Sequence, residues 1–156
     1  MSTETRRFGL QTPTGPITVT LEGGEVIALS WGDAPPAGAG DALAAEVKAQ
    51  IDAYFDRRLE KFDLPLQPAA SNFAQAMRKA MIDIPLGRTR TYCEIARDLG
   101  VTAQAVGQGC GANTIPIIVP CHRVLAQCGL GGFSGGEGIE TKVALLRLEA
   151  AASLLI

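Results

Sequence analysis

The sequence predicts an α+β protein. A small N-terminal lobe with a β-hairpin and one helix (residues 1–68) precedes a mainly helical domain with a helix-turn-helix (69–156). Three observations predict it. ITVTL (17–21) alternates apolar and polar residues and is followed across Gly23-Gly24 by VIALSW (26–31), a hairpin signal. Apolar residues recur at helical spacing after Asp41 and again after Ser71. Two short segments, TYCEIARDLG and AQAVGQGCG, follow one another across a glycine-containing turn, as in an αα-hairpin or a helix-turn-helix.

The remaining elements follow in chain order. GDAPPAGAGD (32–41) is a loop by composition. Asp41 caps a helix whose inward face carries Leu43, Val47, Ile51, Tyr54 or Phe55, and Leu59. FDLPLQPAA (62–70) is extended, since each proline disfavours a helix interior and biases its predecessor towards β. Ser71 or Asn72 caps a helix bearing Phe73, Met77 and Met81, which ends at Ile84-Pro85-Leu86-Gly87. Thr91 and Glu94 make a capping box for the next helix, Gly100 ends it, and Thr102 caps the one after. The apolar run Ile115 to Val119 reads as a buried strand that Pro120 ends. A last helix, about 139–151, turns Val143, Leu145 and Leu146 inward.

Composition narrows the function classes. With 156 residues, 47% of them hydrophobic, the chain can bury a core without disulfide or metal staples, and it is too apolar for intrinsic disorder. No stretch approaches the roughly 20 apolar residues of a membrane span. MSTETRRFGL has no hydrophobic signal core, so the expected compartment is the cytoplasm. Cys93, Cys110, Cys121 and Cys128 form no CxxC pair and are expected as free thiols. With one histidine, their spacing matches no zinc pattern, so no metal is expected. The net charge of −2 is unevenly spread. Residues 75–123 carry six basic side chains against three acidic ones inside an otherwise acidic chain, the footprint of a local phosphate-binding face.

The candidate chemistry lies in NTIPIIVPCHRV (113–124). A nucleophilic cysteine needs a depressed pKa or a base, because the thiolate is the reactive form. The residue after Cys121 is His122, the sole histidine, and Arg123 adds positive potential. In an extended strand neighbouring side chains point apart, so a turn at Pro120 is needed to bring imidazole and sulfur together, directly or through a water. On these residues alone, a reactive thiol and an inert buried cysteine are both open.

IPIIVPCHRV, with LGGFSGGEGIETKVALLRLE (130–149) behind it, resembles the O(6)-alkylguanine-DNA alkyltransferase family, the methylated-DNA–protein-cysteine methyltransferases. TPTGPITVT (12–20), IDAYFDRRLEKFDLPL (51–66), IPLGRTRTYCEIARDLG (84–100) and GANTIP (111–116) extend the resemblance over most of the chain. It implies a ribonuclease-H-like first lobe and a winged-helix-like second. It implies a monomer without cofactor that binds double-stranded DNA through the minor groove, flips the alkylated guanine out, and moves the alkyl group irreversibly to Cys121, once per molecule. Alkylation at O(4) of thymine is a second substrate class. By the same resemblance, His122 and Glu149 relay the thiol proton and Asn113 braces the turn around the cysteine. Tyr92, Pro116, the carbonyls of Cys121 and Val124, and Ser134 with Gly135 in the glycine-rich loop hold the base. Thr91, Gln104, Ala105 and Arg123 lie at the DNA. Without the resemblance, Glu149 reads equally as a solvated helix-end carboxylate and Tyr92 as a half-buried helix-cap aromatic.

The chain departs from the family pattern at several positions. Gln104 stands where an arginine usually enters the base stack; Phe133 replaces a tyrosine, Thr114 a proline, and Arg88 an acidic residue. Losing the arginine's stacking and cation–π contact costs on the order of 1–3 kcal/mol. That motivates an alternative: a protein that recognises damaged DNA but transfers poorly or not at all. A transcription regulator built on the helix-turn-helix would normally dimerise, and a thiol hydrolase using Cys121 and His122 would turn over repeatedly.

Overall fold

The computed structural model describes residues 4–126, 136 and 138–149, which fall into two compact units, Met1–Gln67 and Pro68–Ile156. The fold is α+β. In the first unit β1 (Thr5–Leu10), β2 (Ile17–Glu22) and β3 (Glu25–Trp31) form one antiparallel sheet in the order β1-β2-β3. The β2–β3 hairpin turns where the sequence predicts, with Gly23 at φ 57°, a left-handed conformation that glycine adopts without steric cost. β1 has no counterpart in the sequence reading. TRRFGL offers only Phe8 and Leu10 as alternating apolar residues, and pairing with β2 places them opposite Val19 and Ile17. All four are buried, as are Leu21, Val26 and Leu29.

α1 (Ala42–Phe55) begins where the Asp41 carboxylate accepts the Ala44 N–H at 3.1 Å. Arg6 of β1 donates Nε–H to the same carboxylate at 2.8 Å, tying the sheet to the helix cap. The buried stripe is Ala44, Val47, Ile51 and Tyr54. Leu43 and Phe55 are half-buried, and Leu59 lies beyond the helix, which stops before Arg57 at φ 61°. The expected stripe was therefore one position out at its start and one turn too long. After it, Val26 donates to the Pro65 carbonyl at 2.8 Å and Gln67 to the Val26 carbonyl at 2.9 Å, so the proline-rich segment runs extended beside β3.

In the second unit the Ser71 hydroxyl caps α2 (Asn72–Ile82). Met77 and Met81 are buried, but Phe73, expected on the same face, is 37% exposed in the first turn. α3 (Tyr92–Leu99) carries the complete Thr91–Glu94 capping box and ends at Gly100, φ 69°. Thr102 caps α4 (Ala103–Gly111). This is the helix-turn-helix, and Ile95, Ala96 and Val106 are its buried residues. α2 and α4 approach closely at Gly109, where a Cβ would stand 2.9 Å from Met77 Cγ. α5 (Ile139–Leu148) ends at Glu149 as its C-cap, and 150–151 lie outside the described residues. Leu145 and Leu146 are buried as expected; Val143 is only half-buried, and Thr141 and Lys142 are buried in its stead.

The largest correction concerns residues 115–119, which form consecutive turns and no strand. Ile118 donates to the Pro116 carbonyl at 2.9 Å around Ile117, whose φ is 71°. This is a γ-turn in the strained hand, held by a β-branched residue that rarely adopts positive φ. Cys121 donates to the Val119 carbonyl at 2.8 Å around Pro120, φ −81° and ψ 66°, the relaxed inverse γ-turn. A single 3₁₀ turn, Cys121–Arg123, follows. The apolar run is buried because it is the hub of the second unit, and burial alone does not distinguish a strand from packed turns.

Gly9 tests the packing of the first unit. Its N–H donates to the Pro35 carbonyl at 2.8 Å, and a Cβ there would stand 2.2 Å from the Ala34 oxygen. Gly9→Ala should destabilise the protein by about 1–3 kcal/mol in urea unfolding, whereas Gly24→Ala, with nothing within 4 Å of its Cβ, should stay within about 0.5 kcal/mol of the parent.

Candidate active site

Cys121 sits at the start of the 3₁₀ turn, 9% exposed. Asn113 braces the turns that deliver it. Its Nδ2 donates to the Val119 carbonyl at 2.9 Å, and its Oδ1 accepts the Ile115 N–H at 3.1 Å. One side chain thus spans the strained segment and satisfies two backbone groups inside it. β4 (Arg90–Thr91) and β5 (Val124–Leu125) pair in parallel, Arg90 opposite Val124 and Thr91 opposite Leu125. That ladder sets the start of α3, with Tyr92, beside the residues that follow the cysteine.

Behind the turn lies a buried ionic cluster. His122 is fully buried, and its Nε2 is 2.6 Å from Glu149 Oε2. Arg123 forks onto the same carboxylate, Nε to Oε1 at 2.8 Å and an η-nitrogen to Oε2 at 3.1 Å, while its other η-nitrogen donates to the Ile84 carbonyl at 2.8 Å. Burial disfavours the Glu149 charge, but His122 and Arg123 outweigh it and hold the carboxyl at about 2. An ionised carboxylate only accepts hydrogen bonds, so His122 Nε2 carries the proton and Nδ1 carries the lone pair. Nδ1 is buried with no hydrogen-bond partner among the described residues. Burial also pushes the imidazole below its ordinary value, so it is neutral at rest. The same burial pushes the Cys121 thiol up, against a hydrogen bond from Asn113 and the charge of Lys142. Of the two routes to a nucleophile, this site takes the base: a neutral imidazole with a free lone pair follows a protonated thiol in the chain.

The other sequence-derived residues divide into groups. Tyr92 is half-buried and lies along α4, with a Cβ at Gly107 falling 3.7 Å from its ring. Pro116 is half-buried in the turns. The Cys121 carbonyl accepts the Val124 N–H, and the Val124 carbonyl accepts Lys142 Nζ at 2.7 Å; each retains a second lone pair. Thr91, Gln104 and Ala105 stand at the starts of the two helices of the helix-turn-helix, and Gln104 is exposed. Arg123 is not on an open face. It is 6% exposed and committed to Glu149 and Ile84, which corrects its assignment to DNA contact. Ser134, Gly135 and Phe133 lie outside the described residues. Sequence reasoning missed Lys142, 1% exposed on α5. The signal was there: positions 142, 145, 146 and 149 share one helix face, so a lysine and a glutamate flank two leucines on the buried stripe.

Glu149→Gln probes the cluster. The parent carboxyl is depressed from 4.5 to about 2, so its stabilisation is complete above about pH 4.5 and disappears as pH falls towards about 2. His122, depressed from 6.5, adds a loss of the same sign that begins as pH falls through that value. The variant leaves Arg123 buried without its anion. It should cost about 3–5 kcal/mol at neutral pH and flatten the acid limb of a stability–pH series measured by urea unfolding.

Against known proteins, residues 72–151 match the family model "6-O-methylguanine DNA methyltransferase, DNA binding domain", and residues 9–68 match "6-O-methylguanine DNA methyltransferase, ribonuclease-like domain". A methylated-DNA–protein-cysteine methyltransferase from Methanosarcina barkeri is 44% identical over 107 residues, 67% of this chain and 66% of the relative. One from Mycobacterium bovis is 48% identical over 103 residues, 64% and 61% of the two chains. The matched stretch is thus slightly under two thirds of these relatives' length. The crystal structure of Mycobacterium tuberculosis O6-methylguanine methyltransferase superposes with a TM-score of 0.80 at 34% identity, covering 98% of this chain and 97% of that one. Mycobacterium tuberculosis OGT in complex with DNA gives 0.80 at 36% identity, covering 96% and 95%. With both domain models matched in order along the chain, this protein belongs to the 6-O-methylguanine DNA methyltransferase family.

Proposed function

We propose that this protein repairs DNA by transferring the alkyl group of O(6)-alkylguanine to its own Cys121, once per molecule, after flipping the base out of the duplex. The observation that carries the reading is the buried His122–Glu149 pair at 2.6 Å, with the imidazole's other nitrogen left as a base in the residue next to a protonated thiol. The Sγ proton passes to His122 Nδ1, directly or through a water, and Glu149 stabilises the imidazolium that forms. Sulfur then attacks the alkyl carbon in line: the S–C bond forms as the bond from carbon to O(6) breaks. The guanine leaves with the electron pair and is protonated, with Tyr92 as donor, so the thiol hydrogen is replaced by the alkyl group and the base regains its own.

The two units divide the work at about residue 68: the second binds DNA and carries the acceptor. α3 and α4 dock at the minor groove with Thr91, Gln104 and Ala105 at the contact, while Asn113, Pro116, Val124 and the loop with Ser134 and Gly135 shape the base pocket. Duplex DNA with an alkylated base is the partner. Among the described residues no helix is long and apolar enough to cross a membrane, and the cytoplasm is the compartment this reading implies. O(4)-alkylthymine is a second substrate on the same chemistry.

The test is mass spectrometry after incubation with a duplex holding one O(6)-methylguanine. The Cys121 peptide should gain about 14 Da, a methyl group in place of a proton, and the Cys121→Ser protein should gain nothing. A protein that prefers the damaged duplex without that gain would be a recognition protein instead. Gln104→Arg should tighten DNA binding and speed transfer by about tenfold, the lower part of the range for a regained stacking and cation–π contact; unchanged rates would show that the glutamine carries no deficit.

A further inference from the structure

One buried charge is unused by that mechanism. Lys142 is 1% exposed on α5, and its Nζ donates to the Val124 carbonyl at 2.7 Å. Val124 in turn closes the 3₁₀ turn by donating its own N–H to the Cys121 carbonyl. The ammonium is therefore one residue's backbone away from the nucleophile's turn, inside the same dry cluster as His122, Arg123 and Glu149. Resting on the reading of Cys121 as the acceptor, we infer that Lys142 is a positioning residue for the transfer: it clamps the turn that aims Sγ and supplies the positive charge that offsets the thiolate as the proton leaves.

The physical case has two parts. Desolvating an ammonium is costly, so a lysine is retained in a core where its charge or its donors serve something. A helix face that presents Leu145 and Leu146 beside it would otherwise take methionine or leucine at this position. The charge is also felt where it is needed. Its field favours ionised Cys121, and ionised Cys121 and Cys110 in turn favour protonated Lys142, against the burial that pulls the lysine down. The groups facing Cys121 are Asn113, His122 and Lys142, with Arg123 and Glu149 behind the imidazole and Cys110 on α4. Cys110 is pushed up to about 12, chiefly by burial and then by Cys121, and so stays a neutral thiol that does not compete for the charge.

The experiment labels Lys142→Met, Lys142→Gln and Lys142→Arg proteins with iodoacetamide across a pH series and follows the Cys121 peptide by mass spectrometry, separately from the other three cysteines. Glutamine keeps a donor without the charge, and arginine keeps the charge. For Met and Gln the midpoint of Cys121 labelling should rise by about one pH unit, the lower end of what one nearby opposite charge does, with Arg close to the parent. Labelling near neutral pH should fall several-fold and recover in alkali. Methyl transfer from the damaged duplex should slow in parallel. Met and Gln proteins with an unmoved midpoint, slowed equally at every pH or not at all, would overturn the inference. If Lys142→Met does not fold, the Gln–Arg pair decides. A parent protein that labels normally but takes no methyl from DNA would instead sink the transferase reading and leave this inference to stand or fall on the labelling midpoints.

Discussion

The carboxylate of Glu149 organises the second unit's chemistry. It stands at the C-cap of α5, where the helix has run out of intrahelical donors, and it gathers three hydrogen bonds from two neighbours in sequence, His122 and Arg123. Each of those residues is costly to bury alone. Together they fix the imidazole tautomer, tie the 3₁₀ turn to α5, and through Arg123 reach the Ile84 carbonyl at the end of α2. The nucleophile's base is thus defined by a structural ion cluster, and the same contacts that hold the fold also decide which imidazole nitrogen is free to accept a proton.

That cluster needs Cys121 and His122 to leave the preceding segment in a definite direction, which a strand would not provide. The γ-turns at Ile117 and Pro120 reverse the chain twice within four residues, and Asn113 spans them. A non-glycine residue at φ 71° costs of order 1–3 kcal/mol. It is held by the burial of Ile115, Ile117 and Val119 around it. Local strain is stored at the nucleophile because the core over-determines the turn.

Much of the fold was legible because its signals are local. Asp41, Ser71, Thr91 and Thr102 each cap the helix the sequence assigns to them, since a cap is a relation between residues three apart. The Gly23-Gly24 hairpin and the Gly100 stop are equally local. The failures were non-local. β1 is a strand because β2 offers it a partner, the α1 stripe shifted by one residue because tertiary burial selected Ala44 over Leu43, and Phe73 follows the helical period yet is left exposed. Lys142 was passed over because charge was read as solvated, although its place on the helix face said otherwise.

For the site, the sequence by itself determined the nucleophile, its neighbouring imidazole and the residue types around them, because the motif PCHRV and its family resemblance are properties of the chain. Only the tertiary structure decided how these residues work. It brought Glu149 across 27 positions to His122, withdrew Arg123 from any open face, paired Arg90–Thr91 with Val124–Leu125, and buried Lys142 against the turn. The reason is physical: a residue's identity fixes the chemistry it can do, whereas its protonation state, tautomer and charge balance depend on desolvation and on partners that only the folded chain brings within hydrogen-bond distance.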